Sequence, residues 1–238
     1  MTLAEILSSL FPQGHAVTVA DGLVTGQGAL DGKPLHVVGV DGDTPLGVEG
    51  ALALAASVLD VVRAGDRSPI LVAIDSDSQR MSRRDELLGL NECLAHLAKA
   101  LLLADRLGHP TVGLIYGHSA AGAFIATALA TRVLAALPGA NPSVMDLPSV
   151  ARVTKLPVEK LQEMAKSTPV FAPGLDNMVA TGAVQVVLDP GQPLDAQIRG
   201  LIASLPTGDE RDRLGEERGG RPVAREIAER VQRQAQGG

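Results

Sequence analysis

The chain has 238 residues, 45% of them hydrophobic, 2% aromatic and 20% charged, with 21 Lys and Arg against 27 Asp and Glu for a formal net charge of −6. This is enough apolar material for one large core, and with three Phe, one Tyr and no Trp that core must be Ala, Val, Leu and Ile at close helix spacing. An acidic balance without a basic stripe interleaved with aromatics argues against a nucleic-acid partner, and no apolar run reaches the length of a membrane span.

Cys93 is the only cysteine, which excludes an internal disulfide and cysteine-based zinc motifs and fits a reducing, cytoplasmic compartment. It reads as a small buried apolar side chain. The opening M-T-L-A-E-I-L-S-S-L-F lacks a basic segment and carries Glu5, unlike a secretory signal. A short helix there is ended by Pro12 and Gly14. Residues 16–41 alternate and turn, with Asp21-Gly22 and Asp31-Gly32 as hairpin signals, so an antiparallel meander is expected. His15 and His36, in or beside it, read as surface or packing residues.

From Gly47 the period becomes helical, with Val48, Ala51, Leu52, Ala55, Val58, Leu59 and Val62 on one face and Gly65 as terminator. The run I-L-V-A-I at 70–74 is that of a strand buried on both faces of a parallel sheet. A polar loop follows, D-S-D-S-Q-R-M-S-R-R-D-E-L-L-G-L, at the carboxyl end of that strand, where open α/β sheets place ligands. Asp75 and Asp77 match the D-x-D of haloacid-dehalogenase-type phosphatases, but that motif normally opens its fold, and here a meander and a helix come first. Arg80, Arg83 and Arg84 either balance the acids or meet an anionic substrate or carrier. Asn91 is expected to cap the next helix, whose apolar face is Leu94, Leu97, Ala98, Leu101 and Leu102, with His96 and Lys99 outward and Gly108-His109-Pro110 as its end.

Residues 111–129, T-V-G-L-I-Y-G-H-S-A-A-G-A-F-I-A-T-A-L, form the focus: a short buried strand, then a helix apolar on every side. Gly117-His118-Ser119 makes the turn between them, where the helix's first N–H groups lack partners and the dipole favours an anion. Small residues at 117 and 120–122 admit a ligand to the main chain, and glycine permits backbone angles closed to other residues. An oxyanion site is expected here. Beyond it come a strand in 132–137, an extended or turning segment P-G-A-N-P-S-V-M-D, short helices at 149–154 and 157–167, a helical turn at 175–181 closed by Gly182, and a strand at 184–188. Residues 1–206 are expected to form one domain and 207–238 a charged tail with one weak helix, its stripe Val223, Ile227 and Val231.

A serine hydrolase using Ser119 is the obvious enzyme reading, but Ala121 stands where the G-x-S-x-G elbow needs its second Gly. No histidine follows His118 to complete the order Ser, acid, His. The five histidines are not paired at metal-ligand spacing, and G-H-S-A-A-G lacks the glycine spacing of a dinucleotide fingerprint. Chemistry that uses main-chain donors remains.

The meander, the helix–strand alternation, I-L-V-A-I-D, E-L-L-G-L, the helix ending in G-H-P, G-H-S-A-A-G-A-F and V-A-T-G-A-V-Q-V-V-L-D-P-G together resemble the carboxyltransferases of the crotonase fold. Among these the chain is most similar to malonate decarboxylase gamma subunits, from the meander to Leu205. The resemblance implies an α/β, crotonase/ClpP-like superhelix of ββα units forming half of a carboxyltransferase. It also implies a beta subunit of the same fold, an acyl carrier protein subunit whose phosphopantetheine-type group carries malonyl as a thioester, and decarboxylation to acetyl thioester and CO2 through an enolate. Gly117, His118, Ser119, Ala120, Ala121 and Gly122 would then supply the backbone donors, with Ser119 orienting or capping and not attacking. No metal or flavin is asked of this chain, and the biotinyl motif A-M-K-M is absent from it. Gln185 stands where related carboxyltransferases often have Asp. The rival reading is a crotonase-fold scaffold that stabilises an active partner without doing chemistry.

Overall fold

The computed structural model describes residues 1–167 and 172–237. Asp21, Gly22, Asp31 and Gly32 all adopt positive φ, the backbone that a two-residue turn between twisted antiparallel strands requires. They join β1 (Thr18–Ala20), β2 (Leu23–Leu30) and β3 (Lys33–Val40) into the expected meander. From β3 onward the sheet is parallel, adding β4 (Ile70–Ile74), β5 (Thr111–Ile115), β7 (Val133–Ala136) and β9 (Val186–Val187) in that order. β6 (His118–Ala120) and β8 (Asn141–Ser143) form a separate parallel pair.

Every residue of β4 and β5 is buried, because helices cover both faces of the sheet. Side chains alternate between two cores, as the period of two dictates. Val38, Val40, Ile70, Val72 and Ile74 join α2 (Val48–Ala64), α4 (Leu90–Arg106) and α5 (Ala121–Thr127) on one face. Leu35, Val37, Leu71 and Ala73 join α1 (Leu3–Leu10) and α9 (Leu194–Ala203) on the other. Phe124 on α5 is fully buried, and truncating such a ring to Ala typically costs about 3–5 kcal/mol. α1 carries a full capping box between Thr2 and Glu5, and α2 stops where Gly65 turns left-handed.

Several elements differ from the sequence expectation, each for a local reason. Leu52 faces out and Leu54 in, which rotates the buried stripe of α2. Gly89, left-handed, precedes α4 as its cap, and Asn91 lies exposed inside the first turn. α3 (Arg83–Leu87), read as loop, is capped by Ser82, whose side chain accepts from the Asp85 N–H. α5 is only seven residues long, and Ile125 is exposed, so it is not enclosed on every side. The segment before it pairs as β6. α9 went unread although Leu194, Ile198, Leu201 and Ile202 keep helical spacing against the α1 side of the sheet. α6 (Leu147–Thr154), α7 (Val158–Ser167) and α8 (Leu175–Ala180) lie where expected. Among the described residues after 206 lie two helices, α10 (Arg211–Glu217) and α11 (Ala224–Gln236). None of the helices described is long and apolar enough to cross a membrane.

Candidate active site

Three parallel strands, β3, β4 and β5, end side by side, and the chain beyond each contributes to one edge. Asp41 and Asp43 follow β3, Asp75 and Asp77 follow β4, and Tyr116 to His118 follow β5. Tyr116 O–H donates to Asp41 Oδ1 at 2.8 Å, and burial, with Asp41 beside it, pushes this phenol well above its usual range. The His118 N–H donates to Asp75 Oδ1 at 2.9 Å, and the His118 carbonyl accepts from the Ser76 N–H at 2.8 Å. Both His118 main-chain groups therefore face the loop after β4. Asn141 N–H donates to the Gly117 carbonyl at 2.9 Å, which sends the alternate residues of β6 toward β8. By the same alternation the Ala120 N–H is turned away from β8, as that of His118 is, and no side chain or loop carbonyl among the described residues accepts it.

A cleft of about 380 Å³ opens on that side, lined by Asp77, Ser78, Gln79, Met81, His118, Ala120 and Ala121, with Ser143 to Asp146 opposite. Ala121, not a glycine, holds the left-handed conformation at the start of α5, with φ 51°. A residue with a Cβ in that region carries strain, which is common where backbone is shaped for function. Neither Gly117 nor Gly122 has positive φ, so the sequence argument from glycine's angles fails at both. Space is the reason for Gly117: an added Cβ would strike the Asp75 carboxylate. Gly122 donates its N–H to Gln79 Oε1 at 2.7 Å, and a Cβ there would press on Gln79 and Leu94. Two of the loop's expected donors, at His118 and Gly122, are thus held by side chains of the preceding loop.

Ser119 is fully buried and meets Ser76 Oγ at 3.3 Å. Among the described residues no hydrogen bond joins it to a histidine, and its burial closes it to solvent, which counts against the hydrolase reading. Asp75 accepts the His118 N–H and does not join Asp77 in a cluster of ligand-type atoms among the described residues, which counts against the phosphatase reading. The His118 ring turns the other way: Nδ1 lies 3.1 Å from Asp43 Oδ1 and 4.0 Å from Asp77 Oδ1. Ligand-type atoms of Asp43, Asp77 and His118 lie within 4.8 Å of one another. Both carboxylates are exposed, and among the described residues only His118 bonds Asp43, where outer-shell groups would clamp a metal ligand. The trio is a hydrogen-bonded pair with an acid beside it.

The three arginines are not at this cleft. Arg80 clasps Asp85 with two bonds, Nε to Oδ2 at 2.6 Å and Nη2 to Oδ1 at 2.8 Å, and reaches Glu49 at 2.7 Å. Arg84 pairs with Glu49 at 2.5 Å. Asp85 is 1% exposed; the Arg80 guanidinium, then the Ser82 hydroxyl and the Val48 N–H, hold its carboxyl far below the aspartate range. Arg84, with Arg80, pulls Glu49 down to about 2. The cluster lines a larger, separate cleft of about 650 Å³ beside α2, already neutralised from within. Its effect on the site is mechanical: Leu46 N–H to Ser78 O and Arg80 N–H to Leu46 O fix the loop that presents Gln79. Arg83 is exposed and makes no ion pair among the described residues. His36 and His109 are packing residues, as expected. His109 Nδ1 donates to the Ser68 carbonyl while fully buried, and burial lowers the pKa of His36.

A parallel sheet with an antiparallel entry, a small two-stranded pair and helices on both faces, with its cleft at the strand ends, is the crotonase-type fold. Transcarboxylase 12S shares this fold at 18% identity and a TM-score of 0.69, over 87% of this chain and 41% of that one. The chain belongs to the malonate decarboxylase gamma subunit family, which matches it over residues 42–235. One chain of a Pseudomonas malonate decarboxylase hetero-tetramer, solved with coenzyme A, is 26% identical with a TM-score of 0.78, over 99% of both chains. A chain of the Pseudomonas MdcD–MdcE hetero-dimer is 25% identical with a TM-score of 0.73, over 95% of this chain and 99% of that one. The malonyl-S-ACP:biotin-protein carboxyltransferase MADD of Malonomonas rubra is 29% identical across 209 residues, 79% of this chain and 72% of the relative.

Proposed function

We propose that this chain, paired with a beta subunit of the same fold, decarboxylates malonyl held as a thioester on the phosphopantetheine-type group of an acyl carrier protein, releasing acetyl thioester and CO2. The observation that carries this reading is the cleft at the ends of β4 and β5, lined by Ala120, whose N–H the strand alternation turns away from β8. Loss of CO2 leaves negative charge on the thioester oxygen as an enolate. One N–H aimed at that oxygen is typically worth about 10²–10³ in rate. The loop 117–122 supplies and shapes this donor: Gly117 makes room for Asp75, Asp75 and Gln79 pin His118 and Gly122, and Ala121 turns the chain into α5. Arg83 is the one arginine of the three left to meet the carrier's phosphate. The lone cysteine fits a cytoplasmic location.

The His118 and Gly122 N–H groups, already engaged internally, favour a second reading, a scaffold that only stabilises the beta subunit. Co-expression with a beta subunit and measurement of CO2 released from a malonyl thioester separates the two. If Gly117→Val leaves the complex assembled but stops release, this chain takes part in the chemistry. A variant complex that assembles and turns over normally establishes the scaffold.

A further inference from the structure

Decarboxylation leaves an enolate that needs a proton at its α-carbon, and the backbone donor does not supply one. We infer that the His118 imidazole, oriented by Asp43, delivers this proton from the wall of the cleft. The inference rests on the decarboxylation reading above and adds a side-chain role to it.

His118 follows β5 and lines the same cleft as Ala120 and Ala121, two residues from the N–H aimed at the enolate oxygen. Its Nδ1 lies 3.1 Å from Asp43 Oδ1. A carboxylate only accepts, so Nδ1 carries the proton of that bond, and Nε2 is the nitrogen left to face a substrate. The side chain is 33% exposed, so the ring is in reach of solvent for reprotonation. The groups facing it are Asp43 and Asp77, from the loops after β3 and β4, while Asp75 holds its own amide. Asp77 and Asp146 line the cleft, and no Lys or Arg does so among the described residues. This wall is therefore unsuited to holding the malonyl carboxylate, a task that falls to the partner, and suited to proton transfer.

The step balances. The bond between the α-carbon and the carboxylate carbon breaks, CO2 leaves, and the electron pair moves into the enolate. The enolate carbonyl re-forms as the α-carbon takes the proton from Nε2 of the imidazolium. Neutral imidazole remains, still donating from Nδ1 to Asp43, and regains a proton from water. The net change is malonyl thioester plus one proton to acetyl thioester plus CO2.

The reverse of the proton step can be read alone, as exchange of acetyl α-hydrogens for deuterium, using acetyl- and malonyl-pantetheine with the assembled complex in deuterium oxide. His118→Gln should lower exchange and kcat together by about 10²-fold or more, with KM, assembly and melting midpoint unchanged. Asp43→Asn should lose less, and added imidazole should restore part of the activity of His118→Ala. A His118→Gln complex that exchanges and turns over at the wild-type rate overturns the inference, as does a His118→Ala loss that imidazole leaves untouched. If the wild-type complex exchanges acetyl hydrogens by way of His118 yet releases no CO2, the proton role stands and the malonyl reading falls.

Discussion

At the scale of single residues, Gly117, Ser119 and Ala121 do different things within five positions. Ser119→Ala loses one neutral hydroxyl contact with Ser76, about 1 kcal/mol, and the complex should keep a substantial part of its turnover. Complete loss in a folded complex with a trappable acyl-serine would restore the hydrolase. Gly117→Val forces a side chain into the space of the Asp75 carboxylate and breaks its bond to the His118 N–H, moving the start of β6. A displacement of roughly 1 Å in such a loop costs on the order of 10²-fold in rate. Turnover is therefore to be read together with melting midpoint and pairing to the beta subunit. Ala121→Gly should act in the opposite sense, since a residue with a Cβ held left-handed gives up about 1–2 kcal/mol. An unchanged or lower midpoint in that variant would show that the turn is not strained.

At the scale of elements, the Asp85 cluster joins the β4 loop to the first turn of α2. Because its carboxyl is depressed in the folded chain, the stabilisation is fully present above the ordinary aspartate pKa of about 4. It is lost as the pH falls from there toward the folded value. Asp85→Asn should thus melt well below wild type at neutral pH, and the two midpoints should converge toward pH 2. Parallel curves across that range would count against the pairing. The cluster also shows what sequence reasoning can reach. D-S-D-S-Q-R-M-S-R-R-D left two readings for its arginines, balancing acids or meeting an anion, and Arg80 and Arg84 balance acids; the helix within it was missed, although Ser82 with Asp85 three residues later is a helix-cap signal. The partner that consumes Arg80 and Arg84, Glu49, lies more than thirty positions away and has no local mark. The meander, α2, β4 and β5 were legible because turn chemistry and period agree there. β6 and β8 were not, since a three-residue strand has no period. The Asp43–His118 pair was equally hidden, being made only when separate strands end side by side. The C-terminal helices offer a further test. Arg211 donates to the Leu129 and Thr131 carbonyls, and Arg218 to those of Val179, Val184 and Gln185, while α11 buries nothing. Deleting residues from 224 onward should leave the midpoint unchanged, and deleting from 208 should lower it; equal effects would mean that α10 is not the anchor.

For the molecule as a whole, the apolar residues left uncovered bear on how it functions. Met81, Leu87 and Val153 are 78%, 77% and 70% exposed, and Leu88, Ile125, Val144 and Met145 are exposed as well. Met81, Val144 and Met145 stand in or beside the cleft, and α6, which bears Val153, has no buried residue. Scattered exposed Leu or Val needs no explanation, but apolar side chains gathered at a cleft mark an interaction site. A similar chain is part of the Pseudomonas MdcD–MdcE hetero-dimer, and a second domain seated here would both cover these residues and bring a cation to a cleft that no Lys or Arg lines among the described residues. The purified chain alone is therefore expected to be nearly inert on malonyl thioester and to self-associate as concentration rises. Light scattering across a concentration series reads the second effect, and Met81→Lys with Val144→Lys should reduce it without lowering the melting midpoint. The same two changes should weaken pairing with the beta subunit, because the face that sticks to copies is the face that the partner covers. If the double variant pairs normally, the partner sits elsewhere. If the wild-type chain decarboxylates malonyl thioester at full rate as a monomer, the site is complete within one chain, and both the carboxylate-binding cation and the reason for the exposed face must be sought in these residues alone.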